Sequence, residues 1–304
     1  MAFLRRIQRS DFIYYFFRDP VAYISFFILL ALFVSAFAAP LIAPHNPYDP
    51  TTIDIMDSEL PPVWSSEGSA RFLLGTDDMG RDMLSTMLYG MRISIIIGLG
   101  AVFLQAAIGI VVGLLSGYIR RLDAILMRIA DVQLSFSTYM IAIFIGATFQ
   151  MMFGVANYEK IAAPLLIFII GLAEWPQYAR TVRASVLAER RKEYVEAARV
   201  IGLSRLRIMW RHILPNTLSP VLVISTVQVA NAIMSEAALS FLGLGMPQNK
   251  PSLGSLITSG FEYIFSGTWW ITIFPGILLV VLVLVINLLG DWIRDYLNPK
   301  LYKG

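Results

Sequence analysis

Between Arg92 and Arg120 the chain passes through residues 93–119 without one charged side chain. A helix needs roughly 20 consecutive, mostly apolar residues to cross the hydrocarbon of a bilayer. An open strand or loop of that length would leave its backbone polar groups unsatisfied in lipid, so such a run has to be helical. The segment 132–158, between Asp131 and Glu159, is equally free of charge. Runs at 21–43, 161–179, 213–235 and 263–290 complete the set. Of these, 161–179 has the weakest pattern, because Glu174 and Pro176 interrupt it. The fold class expected is all-α: a polytopic membrane protein with six transmembrane helices.

Composition narrows the function classes. The chain is 57% hydrophobic and 15% charged, against about 25% charged residues in an ordinary soluble domain. A formal net charge of +3 gives no reason to expect a nucleic-acid partner. No cysteine occurs, which removes disulfides, thiolate metal sites and cysteine nucleophiles. His45 and His212 are the only histidines and lie far apart, which argues against a histidine metal cluster and an intramembrane metalloenzyme. Arg5, Arg6, Arg9 and Asp11 lead into the first apolar run without a signal-cleavage pattern, so that run is read as a retained helix.

Charge sets the orientation. With six spans, one side holds Arg5, Arg6, Arg9 and Arg18, then Arg120, Arg121 and Arg128. The same side holds the basic loop at 180–211 and the tail residues Arg294, Lys300 and Lys303, in all 19 of the 24 Lys and Arg residues. The other side keeps Arg71, Arg81, Arg92, Lys160 and Lys250. The positive-inside rule places both termini in the cytoplasm. The organisation expected is a cytoplasmic segment 1–20, a first transmembrane helix 21–43 and an extracytoplasmic loop 44–92. A five-helix core 93–290 with a cytoplasmic loop 180–216 follows, and then a cytoplasmic tail 291–304. Trp269 and Trp270 are expected at the outer interface, Ser58 and Ser252 outside, and Ser204 inside. The outer loop is acidic (Asp49, Asp54, Asp57, Glu59, Glu67, Asp77, Asp78, Asp82), and its 82–91 portion has the spacing of a helix lying on the outer surface.

Gly109, Gly113 and Gly117 recur every four residues in the second run, the spacing that lets helix backbones approach closely in lipid. Gln105, Gln228, Asn231 and Glu236 lie within or at the end of apolar runs. Polar groups at such places are costly, and they mark either an interhelical bond or a translocation path or gate. Glu174 is read as reaching the membrane interface.

The loop Tyr194-Val195-Glu196-Ala197-Ala198-Arg199-Val200-Ile201-Gly202-Leu203 contains good helix formers ended by glycine. Ser204 can cap a second helix running to Leu214, and Pro215 and Pro220 mark the entry to the fifth span. The small Ala197 and Ala198 would admit a partner, with Val195 and Ile201 as apolar contacts and Arg199 as a charged one. Physics alone also allows a basic loop resting on anionic lipid.

Glu196-Ala197-Ala198, then Gly202 and, further on, Leu214-Pro215, resembles the EAA loop of ABC-importer permeases. Further segments are similar to peptide-type members. They are Arg18-Asp19-Pro20, residues 39–44, Leu74-Gly75-Thr76-Asp77-Asp78-Met79-Gly80-Arg81-Asp82, and residues 236–245 (Glu-Ala-Ala-Leu-Ser-Phe-Leu-Gly-Leu-Gly). Asn287-Leu288-Leu289-Gly290-Asp291 and Arg294 through Asn298-Pro299 extend the likeness to the chain's end. Together they resemble the second, C-type permease subunit of dipeptide, oligopeptide and nickel importers. His212 stands where the general pattern has Ile, and no aromatic precedes Gly254.

The resemblance implies a type I ABC-importer (MetI-like) fold in a bacterial inner membrane and a non-catalytic subunit forming half of a translocation path. It implies a second homologous permease, two ATPase domains and an extracytoplasmic solute-binding protein. ATP and Mg would be used by the ATPases, with no cofactor or metal held by this chain, which has no Gly-x-x-x-x-Gly-Lys-Ser/Thr sequence. Val195, Glu196, Ala197, Ala198, Arg199, Ile201, Gly202 and Leu203 would form the ATPase contact. The alternative is a stand-alone secondary transporter or channel, which would show inverted repeats or ionisable residues in mid-span.

Overall fold

The computed structural model describes residues 11–49, 51 and 53–297. Arg5, Arg6, Arg9, Asn298, Pro299, Lys300 and Lys303 lie outside the described residues. The described residues are predominantly helical, with one isolated antiparallel bridge between Thr76 and Asp82. Five helices are long and apolar enough to cross a membrane, or up to six if one bent pair counts as a single span.

In chain order the helices are α1 (Asp11–Arg18), α2 (Pro20–Phe37), α3 (Met83–Tyr118), α4 (Arg120–Leu134) and α5 (Thr138–Phe153). They continue with α6 (Val155–Glu189), α7 (Glu193–Val200), α8 (Arg205–Ile208), α9 (Leu214–Phe241), α10 (Leu253–Tyr263) and α11 (Trp270–Leu297). They form two compact units. The first is Met1–Ile97, Glu159–Ala163 and Ile233–Gly304; the second is Gly98–Tyr158 and Pro164–Ala232.

In the first unit, α2 starts where Asp19 accepts the amides of Val21 (2.9 Å) and Ala22 (3.3 Å) ahead of Pro20 at the first helical position. Asp19 and Pro20 thereby supply both a cap and a preset backbone angle. Phe16 meets Trp292 edge to face at 5.3 Å. Met83, Met87 and Leu256 form a core with Leu74, Phe274 and Leu278 packed on it.

The acidic segment 44–91 is tied down by hydrogen bonds and a buried ion pair. Arg81 donates to Asp77 Oδ2 at 2.6 Å and to the Gln248 carbonyl at 2.6 Å, with both members of the ion pair buried. Thr76 donates to the Asp57 carbonyl at 2.6 Å, and Trp270 Nε1 donates to the Thr76 carbonyl at 3.0 Å. Gly80 has φ +78°, and a Cβ there would stand 2.1 Å from the Asp54 carbonyl oxygen. Only glycine supplies both that angle and that clearance. Burial and the neighbouring Asp77 push the Asp78 carboxyl above its usual range.

Four expectations change here. The 82–91 portion is not a separate surface helix, because α3 runs unbroken from Met83. Arg92, which looked like a boundary, is accommodated over the Phe37 ring with its guanidinium carbon 5.7 Å from the centroid. Trp270 is buried by its bond to Thr76, and only Trp269 is exposed. Ser252 is fully buried as the N-cap of α10.

In the second unit, the glycine row of α3 lies against α6. A Cβ on Gly109 would come 2.2 Å from Tyr178 Cβ, on Gly113 2.6 Å from the Ala179 carbonyl, and on Gly117 2.7 Å from Val186 Cβ. Close helix packing is thus what the spacing encodes. Arg183 grips Asp123 through both oxygens, one bond being 2.7 Å, and Arg180 reaches Asp131 at 2.7 Å.

The third apolar run is not one straight helix. α4 ends at Leu134, α5 begins at Thr138, and the two are bent by 84°. Ser135 turns its hydroxyl back to the Asp131 carbonyl at 2.9 Å, which competes with continuation of the helix. The fourth run, expected to be the weakest, is a long helix reaching Glu189, with Pro176 inside it. Its irregularity lies at Ile161 (φ −120°, ψ 15°), just before Pro164, whose missing N–H breaks the ladder there.

Candidate coupling surface and polar path

Helix α7 is only eight residues long, too short to be stable alone. Its neighbours hold it. Tyr194 donates to Glu189 Oε2 at 2.6 Å and accepts from Asn216 at 3.3 Å, while Asn216 also donates to the His212 carbonyl at 2.7 Å. Burial and the adjacent Glu189 carboxylate push the Tyr194 hydroxyl up to about 12. It therefore stays a donor at any physiological pH. Arg190 donates to the Gly117 carbonyl at 2.8 Å, and Lys192 pairs with Glu189 at 2.6 Å.

The end of α7 is a double-bonded helix stop. Gly202 N donates to the Arg199 carbonyl at 3.0 Å and Leu203 N to the Ala198 carbonyl at 3.1 Å, with Gly202 at φ +85°. This is the Schellman pattern, which needs a left-handed residue at the turn. Ser204 then caps the next turn by accepting the Arg207 amide at 3.4 Å.

The second helix of the loop does not stop before the span. α8 passes through a π turn at Met209–Ile213 into α9, and the helix continues past Pro215 and Pro220. The widened turn stands where Pro215 lacks an N–H to give to the preceding turn. The loop is therefore a short clamped helix followed by the overhanging end of a long one.

The eight residues of the coupling proposal divide into two faces. Val195 is fully buried, Ala198 is 4% exposed and Leu203 is half-buried, so these hold α7 to its own chain. This corrects the reading of Ala198 and Val195 as partner contacts: their side chains are covered from within. Glu196, Ala197, Arg199, Ile201 and Gly202 are exposed. Sequence reasoning missed Val200, which is 88% exposed beside Ile201 at 77%. The missed signal is helical phase, since Val195 and Ala198 define the inward stripe at i and i+3 and Val200 falls off it.

Within each unit the polar residues of the spans bond to near neighbours. In the second unit, Asn231 donates to Gln228 Oε1 at 2.8 Å, and Gln228 donates to Glu174 Oε2 at 3.2 Å. Glu174 is 8% exposed, so it does not reach the interface as expected but anchors this chain of three. Gln105 is fully buried and gives its Nε2 to the Ile170 carbonyl at 3.4 Å. In the first unit, Glu236 is fully buried and accepts from Ser94 (3.1 Å), Ser240 (2.8 Å) and Ser252 (2.6 Å). Ser94 also accepts the Leu253 amide at 3.2 Å, so Glu236 fastens α3, α9 and the capped start of α10 together. Of those serines, Ser240 stands one helical turn beyond Glu236 and Ser94 falls near the helix face of Gly98 and Gln105, whereas Ser252 gave no sign of this role in the sequence. Among the described residues there is no group of three or more His, Cys, Asp or Glu fit to hold a metal ion.

Residues 105–303 match the family described as "Binding-protein-dependent transport system inner membrane component". The chain belongs to that family. Residues 8–62 match a second description, the N-terminal transmembrane domain of oligopeptide transport permease C. The chain is 38% identical over 276 residues to the di/tripeptide transport system permease protein DppC of Pseudomonas aeruginosa, covering 90% of this chain and 86% of that one. It is 36% identical over 302 residues to the dipeptide transport system permease protein DppC of Haemophilus influenzae, covering 99% and 98%. Among solved structures, it resembles an inward-facing MetNI methionine ABC transporter chain with a TM-score of 0.57 and 21% identity, covering 72% of this chain and all of that one. The permease fold is thus that of ABC-importer membrane subunits, and this permease is a non-catalytic, multi-pass subunit of the inner membrane. Membership of the family implies partner subunits.

Proposed function

We propose that this permease forms half of the translocation path of an ATP-driven importer of di- or oligopeptides. A second, homologous permease supplies the other half, two ATPase domains drive it with ATP and Mg, and an extracytoplasmic binding protein delivers the substrate. The observation that carries the coupling role is the clamped α7, with Val200 and Ile201 turned outward. An exposed apolar pair on a rigid, basic cytoplasmic element is suited to seat in a partner's groove. The peptide substrate rests on the names of the relatives. The split of basic residues supports a cytoplasmic location for both termini and α7.

Specificity belongs to the binding protein in this reading, because Glu174, Gln228 and Glu236 are bonded to other side chains of the permease itself. The test is ATP hydrolysis by the reconstituted complex. Peptide-loaded binding protein should raise the rate severalfold, and free peptide should not. Peptide bound tightly by the complex in the absence of binding protein would refute this assignment.

Orientation has its own test, made clean by the absence of cysteine. Ser252 is buried and cannot report. Met56→Cys (88% exposed) should react with an impermeant maleimide added outside intact cells, and Leu206→Cys (65% exposed) should react only after permeabilisation. The reverse pattern would invert the chain.

A further inference from the structure

A cleft of about 860 Å³ opens where α3 ends and α4 begins, and α7 and α8 form its other wall. Arg120, Arg121, Arg199 and Arg205 line it, together with Tyr118 and Ile208. None of these four arginines makes an ion pair among the described residues, and no carboxylate lines the cleft. The nearest acid in sequence, Asp123, is occupied by Arg183. Arg199 rests over the Tyr118 ring, its guanidinium carbon 5.9 Å from the centroid. The first turn of α4 also faces the cleft, and its N-terminus has no side-chain cap. Its free amides add positive potential to that of the guanidinium groups.

Four uncompensated guanidinium groups around one cavity repel each other, and a bound anion relieves that repulsion. The surroundings indicate what carries the anion. Arg121 stands one turn from Ile125, and Ile129 follows one turn later on the same face of α4; both isoleucines are exposed, as is Trp210. Arg128 is exposed on the same side, so this face of α4 mixes basic and apolar side chains, as on a helix that lies at a layer of lipid headgroups. A free anion would use only the basic opening. We propose that this cleft holds the phosphodiester headgroup of an anionic phospholipid, with an acyl chain along Ile125 and Ile129. Basic pockets beside spanning helices at the cytoplasmic face suit such headgroups. The site places a lipid against Arg199, which is itself one of the exposed residues of α7. The inference does not depend on which solute is carried or on peptide being the substrate.

The test uses the full chain in neutral detergent, with native mass spectrometry as the readout. The probes are phosphatidylglycerol, phosphatidylcholine of the same chain length, and inorganic phosphate. Retention of phosphatidylglycerol over phosphatidylcholine is expected. Each basic residue near an anionic headgroup contributes a factor of about five in affinity. The Arg120→Gln/Arg121→Gln variant should therefore retain about 25-fold less phosphatidylglycerol. Arg120→Lys/Arg121→Lys should keep most of it, which separates charge from folding. Arg191→Gln/Arg211→Gln removes as much charge outside the cleft and should leave retention unchanged. An equal loss in that control would overturn the site in favour of diffuse charge. Displacement of the lipid by millimolar inorganic phosphate would reassign the cleft to a free anion. Loss of the lipid on addition of the ATPase subunits would reassign it to that protein contact.

Discussion

Val200→Asp should stop transport while leaving the permease in the membrane. The side chain is 88% exposed and touches none of the bonds that clamp α7, so the folded chain should accumulate at wild-type amounts. A central apolar contact of a protein interface is worth about 2 kcal/mol, and an unpaired carboxylate pressed into the same place costs more. Association with the ATPase should weaken by at least about thirty-fold, and peptide uptake should fall with it. Co-purification and uptake, measured on the same cells, check both halves. Ala198→Asp gives the contrasting outcome. Its carboxylate would be buried in its own chain, so the amount of folded permease should drop together with its ATPase. If Val200→Asp transports normally, α7 is not the coupling element.

Gly109→Leu should abolish the folded permease. A Cβ at this position already overlaps Tyr178 Cβ at 2.2 Å and the Trp175 carbonyl at 2.9 Å. Neither a backbone carbonyl nor a Cβ can yield without moving its helix, so α3 and α6 would have to separate. Overpacking of a tight core costs about 1–3 kcal/mol where side chains can adjust, and more where only backbones meet. Gly276 is the control, since a Cβ there meets nothing within 4 Å. Gly276→Ala should be neutral or stabilise by up to about 1 kcal/mol through better helix propensity. The yield of folded chain should collapse for Gly109→Leu, while purified Gly276→Ala should melt at or slightly above the wild-type temperature. A wild-type yield of folded Gly109→Leu would mean that the α3–α6 approach is looser than described.

What the sequence conveyed depended on whether the signal was local. Apolar length located five spans, and the Gly109, Gly113 and Gly117 spacing marked a close helix contact. Gly202 announced its left-handed turn because few residues other than glycine fit there. The 84° break after Leu134 was hidden, since uncharged residues continue across it and only Ser135 bends the chain. Arg92 looked like a terminus because its shelter, Phe37, lies far back in the chain. Pro215 and Pro220 looked like helix stops, but a π turn absorbs the first. The polarity of Glu174 and Glu236 was plain, but their partners (Gln228 for one, Ser94 and Ser252 for the other) come from other helices and leave no periodic trace. The inward turn of Ala198 is legible in its i+3 spacing from Val195, although its small side chain fits a partner contact equally well.

The clamping of α7 has a thermodynamic consequence. A segment of this length in water is mostly coil, and any partner that had to order it would meet an entropic cost of about 1–2 kcal/mol for each residue fixed. Here Tyr194, Asn216 and the Gly202 stop have met that cost during folding of the permease. In the proposed complex the motor would find a finished shape, and encounter would be rigid-body docking rather than coupled folding. A free peptide copied from 193–203 would carry the same side chains without that advantage, and would make a poor competitor for the motor's groove.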